Sequence, residues 1–465
     1  MPPSIRLDDL LAATGGRLLG TTRVTSFASA AVDSRNVIPG CCFVAMRGER
    51  VDGHRYAAEA VRGGATVLLV ERAVELPTKS DAAIVQVADP LRALQDVAAW
   101  WRARASVRVV AITGSTGKTL AKEIVADVLA RTLRVLRSEG NLNSETGLPM
   151  TLLNLEPQDE VAVLEMGMYA EGDIARLAEI ACPEVGVVLA VHPTHLERAG
   201  SLAAIGRAKE ELPAALPADG LAVLNADDPR VAAMRDATAA PVRTFGLSVT
   251  ADVRATQVES HGLNGTTFVL HAPWAVRHLA SATPGRHLVP HALAAVAVAE
   301  HFGVPFDEVA AALALGSRAP HRMAHAEAAG GAIIIDDTYN ASPESVVAAL
   351  DFLAETALAP GRRRYAVLGD MLELGPDEER LHRAVGARAA GFVDGLVAVG
   401  ERGRWIGEAA RAAGLVRVST ARDADEALPL VERELAPGVG DLVLVKGSRG
   451  VELDRLVAAL TAGGG

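Results

Sequence analysis

The sequence predicts an α/β protein of three domains, and three observations carry that expectation. Apolar strands alternate with helical stretches from about residue 105 to the end, the pattern of mostly parallel sheets covered on both faces. A β-branched run stops at a glycine-rich loop that opens into a helix. The length of 465 residues suits about three domains. The expected division is a small mixed α/β domain over 1–104, a central phosphate-loop domain with a mostly parallel sheet over 105–319, and a Rossmann-like domain over 320–465.

The first hundred residues read as short alternating segments separated by turn formers. Strands are expected around Leu18, Val24 and Phe27, over 43–46 and over 67–70, with a helix over 56–62. Ser34 and Arg35 sit in the loop Val32-Asp33-Ser34-Arg35, where they suit an anionic ligand or form a capped turn with a surface arginine. Trp100-Trp101-Arg102-Ala103-Arg104 closes a helix and marks the first boundary.

The next strand, over 107–113, feeds Gly114-Ser115-Thr116-Gly117-Lys118-Thr119. Backbone N–H groups approach an anion closely only where side chains are absent, and the helix N-terminus behind them adds positive dipole. Lys118 would reach terminal phosphates and the Thr119 hydroxyl would sit on Mg²⁺. Ile112 stands where the longer phosphate-loop pattern has glycine, so the loop is a shortened one. The competing reading is a glycine turn beside a chance lysine.

Further strands end in polar residues at what should be one carboxyl edge, where ligands of open α/β sheets gather. The strand over 161–164 runs into Glu165, either an Mg²⁺ partner or a strand exit. The strand over 185–191 ends near His195, a metal ligand or a loop histidine. Lys209, on a helix over 202–212, reads from spacing alone as a solvated lysine. Asn225 ends the strand over 221–224, placed to bond a base or ribose, or to help cap the next helix. An antiparallel excursion over 251–270 and helices over 291–301 and 307–314 complete this part.

From Pro320-His321-Arg322 onward a second doubly wound sheet is expected. Its strands end in Asp336-Asp337, Gly369-Asp370-Met371, Gly400-Glu401 and Lys446-Gly447-Ser448-Arg449. Ser342-Pro343 has the signature of a capped helix start. No complete dinucleotide fingerprint is present, so this is not read as a coenzyme domain.

The formal net charge of −11 argues against general nucleic-acid binding, which needs a basic footprint. The three cysteines, Cys41, Cys42 and Cys182, have no metal-ligand spacing and imply no disulfide framework. The first residues carry charges where a secretory leader needs an apolar core, and no uncharged run spans a bilayer. A cytoplasmic protein without membrane insertion is expected.

These motifs resemble the Mur ligases, the ATP-dependent amide-forming enzymes of peptidoglycan synthesis, over essentially the whole chain. The loop from Thr113 to Thr119 looks like their shortened phosphate loop, and Leu164-Glu165-Met166-Gly167 and His195-Leu196-Glu197 resemble their Mg²⁺-binding segments. Lys209 falls where the family carries a carbamylated lysine, which displaces the solvated reading. Gly140-Asn141-Leu142-Asn143, Asp336-Asp337-Thr338-Tyr339-Asn340-Ala341-Ser342-Pro343, Gly369-Asp370-Met371 and Lys446-Gly447-Ser448-Arg449 are similar to the branch that adds a dipeptide.

The resemblance implies that Lys118, Glu165, His195 and Lys209 are catalytic, and that Thr119, Glu165, His195 and Lys209 hold two Mg²⁺ ions. It implies ATP contacts from Thr113, Gly114, Ser115, Thr116, Gly117, Lys118, Thr119, Asn225, Arg322 and Asp337. Substrate contacts would come from Ser34, Arg35, Asn141, Asn143, Thr146, Asn340, Ser342, Lys446 and Ser448. The implied substrates are UDP-N-acetylmuramoyl-tripeptide and D-alanyl-D-alanine, bound by a monomer. Ala190, Leu288 and His291 replace asparagines usual in the family, near the nucleotide of relatives. A ligase for another amino acid, one adding glutamate to a folate, or a nucleotide-binding paralogue that no longer ligates are the alternatives.

Overall fold

In a computed structural model the described residues are 4–48, 51–77, 80–193, 200–316 and 321–462. They build three larger sheets and one two-stranded ribbon, Ile5–Arg6 against Ser26–Phe27. The first sheet has five strands in the order Arg17–Leu19, Ala83–Gln86, Val67–Val70, Cys42–Val44 and Ala30–Ala31. All its pairings are parallel except the outermost, Arg17–Leu19. Val24 lies outside any strand, and the helix expected over 56–62 is a 3₁₀ turn, Gly53–Tyr56, leading into Ala57–Arg62.

Asp89 caps the helix Pro90–Arg102 by accepting from the backbone N–H of Leu91 and Arg92, with proline at the first position as helix starts favour. This helix does more than end a domain. Its apolar face shares a core with Leu148, Leu152, Leu164 and Ile174 of the next layer. Gln95 also donates to the Glu145 carbonyl and accepts from Arg176 Nε.

The central sheet has nine strands. Val135–Arg137, Val161–Glu165, Arg108–Thr113, Val185–Val188, Leu221–Asn225, Val242–Gly246 and Val253–Ser260 lie side by side in parallel. Thr266–Ala272 and Ala275–Ser281 then extend the edge in antiparallel fashion. The expected excursion is therefore three strands rather than two. Ala275–Ser281 alternates poorly, with Leu279 buried and Val276, Arg277 and His278 exposed, so periodicity gave it no signature.

The middle strands are buried on both faces. Val109, Val110, Ala111 and Ile112 are wholly inside, which is why they read as continuous apolar runs rather than alternating ones. The alanine-rich helix Val289–His301 buries nearly its whole circumference against the helix Lys118–Leu129 and the strands beneath. Small side chains allow that close approach.

The third sheet runs Ala324–Glu327, Ile333–Asp336, Leu442–Lys446, Arg364–Gly369, Gly395–Val399 and Val418–Ala421. It is parallel except for its first strand, an exposed edge that sequence patterning did not reveal. Ser342 and Ser345 form the expected helix start as a reciprocal capping box, with Pro343 at the first position. No helix among the described residues is long and apolar enough to cross a membrane.

Candidate active site

The phosphate loop leaves the middle one of three neighbouring parallel strands. Arg108–Thr113 lies between Val161–Glu165 and Val185–Val188, so its exit opens beside theirs. Thr113 Oγ1 donates to the Met166 carbonyl at 2.9 Å. Ser115 N donates to the Ala190 carbonyl, and Ser115 Oγ both donates to the His192 carbonyl and accepts from His192 N. The loop is thus tied on both sides before any ligand arrives. Lys118 folds back to donate to the Gly114 carbonyl at 2.9 Å. Burial pushes its ammonium below the ordinary lysine range, while the Glu165 carboxylate pulls it back up.

Gly117 is required by geometry. It has a φ of +78°, and a Cβ there would collide with the His291 imidazole. The departures from family pattern gain a physical reading here. Leu288 is packed into the core with Val289 and Leu293. His291 backs the loop, its Nδ1 buried with no partner among the described residues. Burial pushes both His291 and the neighbouring His287 down to about 4, so both rings are neutral near pH 7.

Thr119 Oγ1 donates to Glu165 Oε2 at 2.9 Å, and Asn143 Nδ2 donates to the other carboxylate oxygen at 2.7 Å. From the third sheet, Arg322 Nη2 donates to Thr119 Oγ1 at 3.0 Å, and its guanidinium lies 4.0 Å over the Tyr339 ring. Arg322 Nε is buried and unpartnered among the described residues.

Lys209 is 2 % exposed, which corrects the solvated reading that its spacing alone suggested. Burial, with the nearby Lys118 charge adding to it, pushes Lys209 well below the ordinary lysine range. Two residues on, Glu211 accepts from the backbone N–H of Gly172 and Ala175 and so caps the helix Asp173–Ala181. His195 lies outside the described residues.

One cavity of about 1000 Å³ collects Gly114 to Thr119, Asn141, Asn143, Thr146, Glu165 and Lys209 on one wall and Arg322, Asn340, Ser342 and Ser448 on the other. The other expected site residues stand elsewhere. Asn225 bonds the Leu189 carbonyl and the Asp227 N–H, bracing the strand ends. Asp337 and Lys446 form a buried ion pair at 2.5 Å, and the lysine also donates to the Asn340 carbonyl. Ser34 bonds Glu59, and Arg35 forks onto Asp33 in the capped turn of the first sheet's loops. Sequence reasoning missed Tyr339 and Arg176 in the cavity wall; neither has a signature beyond its chain neighbours.

Known families match in the same three blocks. Residues 28–102 match the Mur ligase family catalytic domain, 112–299 the Mur ligase middle domain, and 321–449 the Mur ligase glutamate ligase domain. The UDP-N-acetylmuramoyl-tripeptide–D-alanyl-D-alanine ligase of Escherichia coli is 36% identical, with 99% of each chain covered. The chain belongs to the Mur ligase family. Among solved structures, MurF of Acinetobacter baumannii is similar with a TM-score of 0.86 and 31% identity over 99% of both chains. MurF ligase of Thermotoga maritima, solved in complex with ADP, has a TM-score of 0.79 and 29% identity over 94% of this chain and 97% of that one. Within the Mur ligases, the two walls of the cavity thus come from the middle and glutamate-ligase domains.

Proposed function

We propose that this chain is an ATP-dependent ligase that joins D-alanyl-D-alanine to UDP-N-acetylmuramoyl-tripeptide. The observation that carries the reading is the meeting of Thr119, Glu165 and Arg322 at hydrogen-bond distance across two domains, beside Lys118 and in a cavity large enough for more than one substrate. Full-length similarity to ligases of that name supports the choice of substrates.

The tripeptide carboxylate attacks the γ-phosphorus of ATP, which forms an acyl phosphate and releases ADP. The dipeptide amine then attacks the acyl carbon, and phosphate leaves with the original carboxylate oxygen. Two anions must meet in the first step, so preorganised cations dominate the barrier. Lys118 and Arg322 are those cations, the first on the phosphate loop and the second brought in by the C-terminal domain.

Thr119 and Glu165 offer oxygen donors of the kind a hard cation takes, and Mg²⁺ characteristically binds one or two carboxylates together with substrate phosphates. We assign one Mg²⁺ to Thr119 and Glu165, and a second to His195 and a carbamylated Lys209; when bound, Mg²⁺ neutralises phosphate charge. The buried, neutral-leaning Lys209 amine is the form that adds CO₂. The three sheets correspond to domains over 1–104, 105–319 and 320–465, which bind the UDP end, ATP and the dipeptide in turn. The reading also takes the protein as a cytoplasmic monomer.

Phosphate release from ATP and Mg²⁺ is the test. Release that requires both the tripeptide nucleotide and D-alanyl-D-alanine, with pentapeptide nucleotide formed in equal amount, supports the ligase. Tight ATP binding with no release under any combination contradicts it.

A further inference from the structure

An incoming D-alanyl-D-alanine is a zwitterion, and its amine must face the acyl carbon while its carboxylate lies a dipeptide's length away, roughly 7 Å. That second charge needs a cation that the phosphates do not claim. Among the described residues six basic side chains line the cavity: Lys118, Lys209, Arg176, His321, Arg322 and Arg449. Lys118 and Arg322 belong to the phosphate loop, and Lys209 is buried at its floor. His321 bonds Asp336 at 2.8 Å. Arg176 is spent on Gln95, Glu179 and Asp96.

Of these six, Arg449 is the loosely held one. Among the described residues its guanidinium touches Asp454 through Nη1 at 3.2 Å, and 64% of the side chain is exposed. Its backbone, by contrast, is fixed. Ser448 N donates to the Asp370 carbonyl, Leu372 N donates to Ser448 Oγ, and Gly447 packs so closely on Gly369 and Leu453 that a Cβ would collide with Leu453. A rigid platform thus carries an exposed fork, held only by Asp454 among the described residues, at the C-terminal-domain wall. Arg449 lines the same cavity as Tyr339, Lys118 and Thr119, so it shares the space in which the reacting groups meet.

Resting on the ligase reading above, we propose that Arg449 binds the C-terminal carboxylate of the incoming dipeptide and makes the enzyme select a free acid over a blocked one. A guanidinium pairs with a carboxylate through two parallel N–H···O bonds, which fixes orientation as well as charge.

The test compares D-alanyl-D-alanine with D-alanyl-D-alaninamide, which keeps the amine and loses the anion. Wild type should use the amide with a KM raised about 10- to 100-fold, the range of a lost charge-assisted pair. Arg449→Ala should raise the KM for the free dipeptide by the same factor, leave that for the amide unchanged, and so abolish the discrimination. Its KM values for ATP and the tripeptide nucleotide should stay within twofold, and Arg449→Lys should recover part of the loss. Equal losses on acid and amide, or a rise confined to the KM for ATP, would overturn the assignment. A wild type that makes no pentapeptide nucleotide from either dipeptide would instead sink the ligase reading, and this assignment with it.

Discussion

Lys118 sits at the base of the site with its ammonium already partly desolvated and held on the Gly114 carbonyl. Removing it takes away a preorganised cation together with its hydrogen bond to the Gly114 carbonyl. Lys118→Ala should therefore lower kcat by at least about 10²-fold while the thermal midpoint stays close to wild type; retained turnover would remove Lys118 from the chemistry. Lys209→Ala should be inactive and partly rescued by short carboxylates, and a full-rate variant would exclude the lysine from the site. The histidines behind the loop make a different prediction. Because His291 is held at about 4, below its unfolded value of about 6.5, the unfolded chain binds a proton that the folded one refuses between those pH values. Stability then rises with pH across that window, fully present above about 6.5 and lost as pH falls towards 4. His291→Asn should flatten this dependence by up to about 1.4 kcal/mol per pH unit, read from urea midpoints at pH 7 and pH 5. An unchanged slope would mean that His291 is not the buried neutral base described.

At the scale of elements, one carboxylate joins the loop after Val185–Val188 to the start of the helix Pro229–Ala233. Asp228 Oδ2 accepts from the buried Val191 N–H at 2.8 Å, while Oδ1 caps its own helix through Arg230 N. Asp228→Ala leaves both donors unpaired and should cost about 1–3 kcal/mol; a loss under 0.5 kcal/mol in chemical denaturation would show that water replaces it at no penalty. The elements that sequence patterning recovered are those whose periodicity or punctuation is strong. The phosphate loop, the central strands and the Ser342-Pro343 helix start are legible because apolar runs, glycines and caps are local signals. Ala324–Glu327 and Ala275–Ser281 were missed because edge strands bury little and alternate weakly. Lys209 shows the opposite failure. Its helix is amphipathic in the ordinary way and packs on the helix Asp173–Ala181 and the strand Val185–Val188, and Lys209 is buried in the fold, a fact of tertiary packing that no spacing contains. Lys446 and Asp337, expected as ligands at strand exits, form a buried ion pair with each other, a pairing that spacing in the sequence does not show.

Over the whole molecule, the decisive contact is the one between domains. Arg322 reaches from the C-terminal domain to Thr119 of the phosphate loop, so a guanidinium joins the two domains at that loop. Arg322→Ala should raise the KM for ATP and diminish any nucleotide-dependent compaction seen by small-angle scattering; unchanged values for both would separate the domains functionally. The N-terminal domain is linked in turn by Gln95, which bonds Arg176 and the Glu145 carbonyl at the cavity's opposite end. Such an arrangement suits a reaction whose intermediate must be kept from water while three substrates are assembled. The most direct measurement is isotope transfer. With ¹⁸O in the terminal carboxylate of the tripeptide, each pentapeptide nucleotide formed should be matched by one phosphate carrying a single ¹⁸O atom. Unlabelled phosphate would contradict carboxylate activation and, with it, the ligase chemistry assigned to this site.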